Sequence, residues 1–158
     1  MTGSEAPLAV PTDRSTRMNA HRTGSNPARA RVVIVEDGRV ALIKRVRESR
    51  TYYLFPGGGV EDGETPEHAA IREAHEELGV DVELGEPRYE EDFDRSRFVY
   101  FDARIVGGEF GTGLWPDHAE RDAEARERSG THEPVWTPID ELDRLDVRPA
   151  ALVKLLRA

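Results

Sequence analysis

The strongest constraint on the fold is a loop–helix segment, residues 58–80, with the sequence GGVEDGETPEHAAIREAHEELGV. Thr65 is a typical N-cap, and Pro66 suits the first helical position, where its missing N–H costs nothing. Gly79 marks the helix end, because glycine readily adopts the left-handed conformation found there. The segment therefore predicts a loop followed by one helix with defined ends.

The two sides of this helix differ in chemistry. At 100° per residue, four apolar residues share one arc and predict the buried face: Ala70, Ile71, Ala74 and Leu78. Three carboxylates share the next arc: Glu73, Glu76 and Glu77. Like charges at these spacings repel by about 0.2–0.5 kcal/mol per pair, and a divalent cation would turn that cost into binding. Mg²⁺, which prefers oxygen ligands, is the predicted ion, with Mn²⁺ as a substitute. A solvated helix face is the alternative.

The register of the fixed residues adds a family resemblance. Seven of them match the Nudix box, G-x5-E-x7-R-E-U-x-E-E-x-G-U: Gly58, Glu64, Arg72, Glu73, Glu76, Glu77 and Gly79. The chain thus resembles a Nudix hydrolase. The resemblance implies an α/β/α sandwich, which agrees with the mixed α+β order of the predicted elements. It also implies Mg²⁺-dependent cleavage of a nucleoside diphosphate linked to another group.

The mechanism that the resemblance implies is attack of water on phosphorus, with the three box glutamates as metal ligands. Arg72 would orient those carboxylates and lies within reach of Glu64. The general base is either a box glutamate or one on a later loop. Glu133 is the first candidate for the later position, followed by Glu124 and Glu127, and a surface glutamate is the equal alternative for each.

The residues before the box predict where the substrate binds. The run Gly57-Gly58-Gly59 either makes a tight turn or leaves room for phosphate beside the helix, and we expect the second. Gly58 and Gly59, with Arg45 and Arg47 on the preceding strand, are the predicted substrate-binding residues. Four aromatic residues are candidates to stack on a base or to fill the core: Tyr52, Tyr53, Tyr100 and Phe101.

The sequence predicts the chemical class of the substrate but does not select one compound within it. Relatives specialised for ADP-ribose tend to carry a proline past the box, where this chain has Ser96 and Arg97. Dinucleoside polyphosphate hydrolases tend to have a tyrosine near Phe98 and Tyr100. The prediction is a nucleoside di- or triphosphate derivative. The alternative from another class is a non-catalytic Nudix-like module that binds a nucleotide as a sensor.

Other segments predict further elements. Strands are expected at 32–35, 40–46, 52–55, 80–84, 98–106 and 135–137, and helices at 138–142 and 148–156. Asp37-Gly38 predicts a hairpin and Glu86-Pro87 a turn. Residues 107–113 predict a flexible turn, and 114–132 an insertion. The expected stripe of the last helix is Ala151, Leu152, Leu155 and Leu156.

Composition bounds the remaining expectations. Residues 1–30 lack apolar periodicity and predict a disordered tail before a single domain, 31–158. Residues 1–31 carry five arginines against Glu5 and Asp13, which leaves −12 for the rest of a chain with net charge −9. Such an acidic domain suits a small nucleotide substrate and disfavours stable nucleic-acid binding. No cysteine is present, so the isomerase branch of the superfamily is disfavoured. We expect a cytoplasmic protein without membrane contact, and a homodimer is left open.

Overall fold

The computed structural model describes residues 28–113 and 130–158, which form a mixed sheet with helices. The elements run β1 (Ala28–Glu36), β2 (Arg39–Arg47), β3 (Arg50–Leu54), β4 (Gly57–Gly59), α1 (Pro66–Leu78), β5 (Val80–Phe93), β6 (Ser96–Gly108), β7 (Thr131–Pro138), a 3₁₀ helix (Ile139–Arg144), β8 (Val147–Arg148) and α2 (Ala150–Arg157). This is the α+β architecture that the sequence predicted.

Strand β1 joins the two halves of the sheet. Its residues Ala28–Ile34 pair in parallel with β6, and its end pairs antiparallel with β2. The strand order is β5-β6-β1-β2-β3-β8, with β4 added on β1 and β7 on β2. Because side chains alternate along a strand, β1 faces two cores. Ala30, Val32 and Ile34 pack with α1, and Val33 packs with the 3₁₀ helix and α2.

The antiparallel hairpins turn on residues with positive φ. Asp37 and Gly38, with φ of 52° and 74°, make the predicted β1–β2 turn. The predicted turn at Glu86-Pro87 is wrong, because β5 continues through it to Phe93 with shifts of register on both sides of Pro87. Proline cannot donate to the ladder, so the pairing is irregular there without ending. The chain turns instead at Asp94 and Arg95, with φ of 50° and 65°.

Helix α1 begins and ends as predicted. The Thr65 hydroxyl accepts a hydrogen bond from the His68 N–H at 3.1 Å, and Gly79 closes the helix with φ of 80°. Its buried residues are Ala69, Ala70, Ala74 and Leu78. Ile71, predicted on this face, is 37% exposed. The alanine face lets α1 approach β1 and β4 closely, and this approach rotates Ile71 outward.

The buried face of helix α2 also differs from the predicted one. Leu152 and Val153 are buried and Leu156 packs beside them, whereas Leu155 is 46% exposed. Ala151, also predicted in the stripe, is exposed and lines a cavity. The helix follows β8 directly, and the core around Leu142 selects the face that packs.

The remaining predicted segments lie partly outside the described residues. These exclude 1–27, most of the predicted tail, but β1 begins at Ala28, so residues 28–30 are strand and not tail. Residues 114–129, with Glu124 and Glu127, also lie outside them. The predicted turn at 107–113 packs on α1: the Gly111 N–H donates to the Leu78 carbonyl at 2.8 Å. No helix among the described residues is long and apolar enough to cross a membrane.

Candidate active site

The glycine run before α1 forms a short strand that places backbone directly under the helix carboxylates. Strand β4 pairs antiparallel with β1, with Gly57 opposite Arg31 and Gly58 opposite Ala30. A Cβ on Gly57 would lie 2.2 Å from the Ala30 carbonyl oxygen, and a Cβ on Gly58 would lie 2.6 Å from a Glu73 carboxylate oxygen. Gly57 therefore requires glycine, because a side chain would displace the strand, whereas a side chain at Gly58 would displace the Glu73 carboxylate.

On one side of α1, Arg72 organises a network of carboxylates. Its guanidinium binds Glu64 through two hydrogen bonds, from Nε to Oε2 at 2.8 Å and from Nη2 to Oε1 at 3.0 Å. Nη1 donates to Glu73 at 3.1 Å and to Glu76 at 3.3 Å, and Nη2 donates to the Gly59 carbonyl at 3.0 Å. The hydrogen bond from Arg72, supported by the Glu61 N–H, lowers the pKa of Glu64 to about 2.

On the other side, Glu77 points toward β4. Its Oε1 accepts a hydrogen bond from the Gly57 N–H at 3.0 Å. Burial, and then the neighbouring charge of Glu73, raise the pKa of Glu77 to about 9, and a hydrogen bond to Glu73 acts in the same direction. Without a cation, Glu77 therefore holds a proton at neutral pH, since two close carboxylates resist double ionisation.

This pair determines how well the site suits a divalent metal. Glu76 is partly exposed, with 38% of its side chain accessible, and it binds the same Arg72 nitrogen as Glu73. Among the described residues, no group of three acidic or histidine side chains is arranged to hold a metal ion, and binding by all three box glutamates stays a prediction. Glu73 and Glu77 do meet, and a cation could take the place of the proton that Glu77 holds. Two carboxylates completed by water and substrate phosphate form a donor set that suits Mg²⁺.

A small cavity of about 100 Å³ opens beside this pair. Its lining residues are Arg31, Ile43, Arg45, Leu54, Gly57, Glu77 and His132. The predicted residue Arg45 is thus brought to the carboxylates, where its Nε also donates to the Thr131 carbonyl at 2.9 Å. Gly59, another predicted residue, contributes its carbonyl to Arg72 rather than a contact with the cavity.

Glu133, the first candidate for a general base outside the box, lies on the wrong face of β7. It pairs with Lys44, while His132 pairs with Arg45, and successive strand residues face opposite sides. His132 therefore lines the cavity and Glu133 does not. The period-two pattern back from Trp136, which packs in the α1 core, is the sequence signal that could have identified His132.

A second and larger cavity, of about 500 Å³, adjoins the first through shared residues Arg31 and Leu54. Its walls come from β3, the β5–β6 hairpin and the start of α2: Tyr52, Glu91, Phe93, Phe98, Tyr100, Arg148, Pro149, Ala150 and Ala151. Of the four aromatic residues predicted to stack or to fill the core, Tyr52 lines this cavity, and Tyr100 lines it from within the core. Tyr53 and Phe101 pack in the two cores.

Arg31 lies where the two cavities meet, and sequence reasoning missed it. Its Nη1 donates to the Phe55 carbonyl at 2.6 Å, and its guanidinium lies 5.5 Å from the centre of the Phe98 ring. Burial lowers the pKa of Arg31, and the charge of Glu77 partly offsets that effect. The available signal was an arginine directly adjoining the apolar run of β1, since arginine is rarely buried without a partner.

Comparison with known proteins identifies relatives of this arrangement. The NUDIX domain family model matches residues 25–156. An RNA pyrophosphohydrolase from Caulobacter vibrioides is 37% identical over 112 residues, which cover 58% of this chain and 65% of the relative. An 8-oxo-dGTP diphosphatase from Proteus vulgaris is 42% identical over 55 residues, covering 34% of this chain and 49% of the relative. The chain thus spans less than two thirds of the length of these curated relatives.

Solved structures share the fold at lower identity. A MutT structure from work on Aliivibrio salmonicida and Vibrio cholerae superposes with a TM-score of 0.59 at 23% identity, covering 82% of this chain and 94% of that one. An ADP-ribose pyrophosphatase from Streptococcus suis has a TM-score of 0.59 at 18% identity, with 84% and 90% coverage. These likenesses concern the curled mixed sheet and its helices.

Proposed function

The chain belongs to the NUDIX family, and we propose that it hydrolyses a phosphoanhydride bond in a nucleoside di- or triphosphate derivative by attack of water on phosphorus. The observation that carries this proposal is the Glu73–Glu77 pair. Glu77 contacts both the Gly57 N–H and Glu73, and its raised pKa marks a position where two carboxylates stay together only if a proton or a cation lies between them.

A divalent cation held by Glu73 and Glu77, for which we propose Mg²⁺, would neutralise the charge of a diphosphate and polarise its bridging oxygens. The protein's own residues supply the positioning, which phosphoryl transfer needs more than unusual side chains. Arg72 fixes the Glu73 carboxylate from the far side through its 3.1 Å contact. Arg45 and Arg31, which line the small cavity, supply positive charge for phosphate oxygens.

The larger cavity would hold the nucleoside. Its volume of about 500 Å³ lies within the range usual for small-molecule sites, and its walls are mostly apolar. The half-buried Phe98, whose ring centre lies 6.2 Å from that of the buried Tyr100, offers an aromatic surface to a base. Because Arg31 and Leu54 line both cavities, a nucleoside in the large one would direct its 5′-phosphates toward Glu77.

The relatives differ in their substrates but agree in this chemistry. Their names include an RNA pyrophosphohydrolase, an 8-oxo-dGTP diphosphatase and an ADP-ribose pyrophosphatase. Each name implies a nucleoside attached to a phosphoanhydride. We therefore propose this shared chemistry for the present chain without selecting one base.

The test is a screen for released phosphate and pyrophosphate over a panel of nucleoside di- and triphosphates and their derivatives. Each reaction is run with Mg²⁺, with Mn²⁺ and with excess EDTA, and beside the Glu77→Gln variant. We expect turnover that requires the cation and disappears in the variant. Full activity in EDTA would contradict the proposal. Tight nucleotide binding with no turnover of any compound would favour the sensor alternative.

A further inference from the structure

A third cavity, of about 150 Å³, lies next to the larger cavity in which we place the nucleoside, and it is rich in arginine. It is lined by Arg47, Glu48, Arg50, Tyr52 and Arg148. Three cations thus face two carboxylates, Glu48 and the Asp146 that binds Arg148 and lies in the field of Arg50. This excess of positive charge contrasts with the net charge of −9 of the whole chain. Within the described part of the chain, the side chains of Arg47 and Arg50 make no hydrogen bond or ion pair. The cavity is therefore suited to an anion.

The arginine cavity adjoins the proposed nucleoside site through Tyr52 and Arg148, which line both. The Arg148 guanidinium lies 4.3 Å from the centre of the Tyr52 ring. Asp146 holds the same guanidinium with hydrogen bonds of 2.9 and 3.2 Å. Arg148 is thus fixed between the two cavities, with one face of its guanidinium on an aromatic ring. It needs little reorganisation to donate a hydrogen bond to a phosphate oxygen.

The β2–β3 hairpin arranges the three cavities in order along one face. Leu54, beside Glu77, pairs with Ile43; Tyr52 pairs with Arg45; and Arg50 pairs with Arg47. Because alternate residues share a face, these pairs lie in one row. The backbone from Leu54 to Arg50 spans about 13 Å at about 3.3 Å per residue. One nucleotide can therefore extend from the carboxylates to the arginine cavity, because the arginine side chains are long enough to reach it.

We infer that the arginine cavity binds a second anionic group of the substrate, a phosphoryl group on the ribose 3′-oxygen. This inference rests on the proposed function, in which the 5′-phosphoanhydride lies at Glu73 and Glu77 and the nucleoside lies in the larger cavity. On the far side of the nucleoside, the sugar hydroxyls are the positions that carry phosphoryl groups. The group has two sources: the phosphate monoester of a small nucleotide, or the first phosphodiester of an RNA 5′ end.

The experiment compares three substrates in a guanosine and an adenosine series: the 5′-triphosphate, the same nucleotide with a 3′-phosphate, and a 5′-triphosphorylated dinucleotide. The full chain is assayed with Mg²⁺ as wild type and as Arg50→Gln. Arg104→Gln, a change at an exposed arginine on β6, is the matched control. Melting temperatures verify that both variants fold.

We expect kcat/KM to be about tenfold higher for at least one 3′-phosphorylated substrate than for the plain triphosphate, the gain typical of one charge-assisted hydrogen bond. Arg50→Gln should remove that gain and leave plain triphosphate turnover unchanged, while Arg104→Gln should change neither. A gain with the monoester identifies a small nucleotide, and a gain with only the dinucleotide identifies an RNA end. Equal kcat/KM for all three substrates would overturn this inference while the proposed function stands. If none of these substrates is turned over but another compound of the phosphate screen is, this inference fails and the proposed function stands. Absence of turnover in both experiments would overturn both.

Discussion

Glu64 and Glu77, which lie on two sides of helix α1, are in opposite electrostatic states. On one side Glu64 lies against Arg72, and its pKa falls to about 2. On the other side Glu77 lies against β4 beside Glu73, and its pKa rises to about 9. Arg72 touches both sides, since it also donates to Glu73. The same residue type thus serves as a permanently charged anchor on one side and as a proton-binding site on the other.

The difference shows which environment creates a binding site. The Arg72 network is complete within the protein, because guanidinium and carboxylate satisfy each other. The Glu73–Glu77 pair is satisfied only after it takes up a positive charge. We therefore expect changes on the Arg72 side to act through positioning and stability, and changes at Glu77 to act on cation binding and turnover.

The largest expected effect is that of Glu77→Gln. The amide can still accept the Gly57 N–H bond, so the metal-free fold should be as stable as wild type or more stable, because a buried carboxylate is removed. Turnover should fall by about 10³-fold or more, since a bound metal supplies several kcal/mol and each ~1.4 kcal/mol is tenfold in rate. Kinetics beside metal-free thermal melts separate the two effects. A variant that unfolds without metal would make Glu77 a structural residue.

Next in size is Arg72→Met, which removes the anchor and keeps much of the side-chain volume. We expect kcat to fall by about 10–100-fold, the usual cost of losing a residue that orients metal ligands. The melting temperature should fall as well, because Glu64 and Glu73 lose their partner. Arg72→Lys is the control: it restores the charge without the paired hydrogen bonds and should recover only part of both losses. Full recovery by lysine would show that charge alone matters.

A smaller effect is the pH dependence of stability without metal. Between pH 4.5 and about 9, folded Glu77 binds a proton that the unfolded chain has released, so raising the pH favours unfolding. The melting temperature of wild type should therefore fall relative to Glu77→Gln across this window. Glu64 acts with the opposite sign at low pH, where its stabilisation is lost between 4.5 and about 2. Parallel melting curves for the two proteins over pH 5–9 would contradict the raised pKa.

The smallest expected effect is the loss of kcat in Glu76→Gln, which distinguishes the role of Glu76 from that of Glu77. Glu76 is partly exposed and contacts Arg72 at 3.3 Å, so Glu76→Gln should lower kcat by about tenfold or less. Glu141→Gln, at an exposed position on the 3₁₀ helix, is the matched control and should leave kcat unchanged. If Glu76→Gln instead lost as much activity as Glu77→Gln, the metal would be held by all three glutamates, as the sequence predicted.

Local sequence determined the features that depend on neighbours along the chain. Thr65 and Gly79 define the ends of α1 through contacts within one helical turn, and Asp37-Gly38 closes its hairpin through backbone preference alone. The spacing between Arg72 and Glu64 likewise placed these two residues within reach before any fold was known.

Tertiary structure decided which of these side chains meet a partner from elsewhere. A helical wheel places Glu73, Glu76 and Glu77 together, but only the packing of β4 under α1 brings Glu77 onto the Gly57 N–H and leaves Glu76 on Arg72. The pairing of β7 with β2 turns His132, and not Glu133, toward the cavity. Arg31 enters the site because β1 lies between β4 and β6. Burial, and with it the pKa of a carboxylate, depends on distant segments of the chain, and no local pattern contains that information.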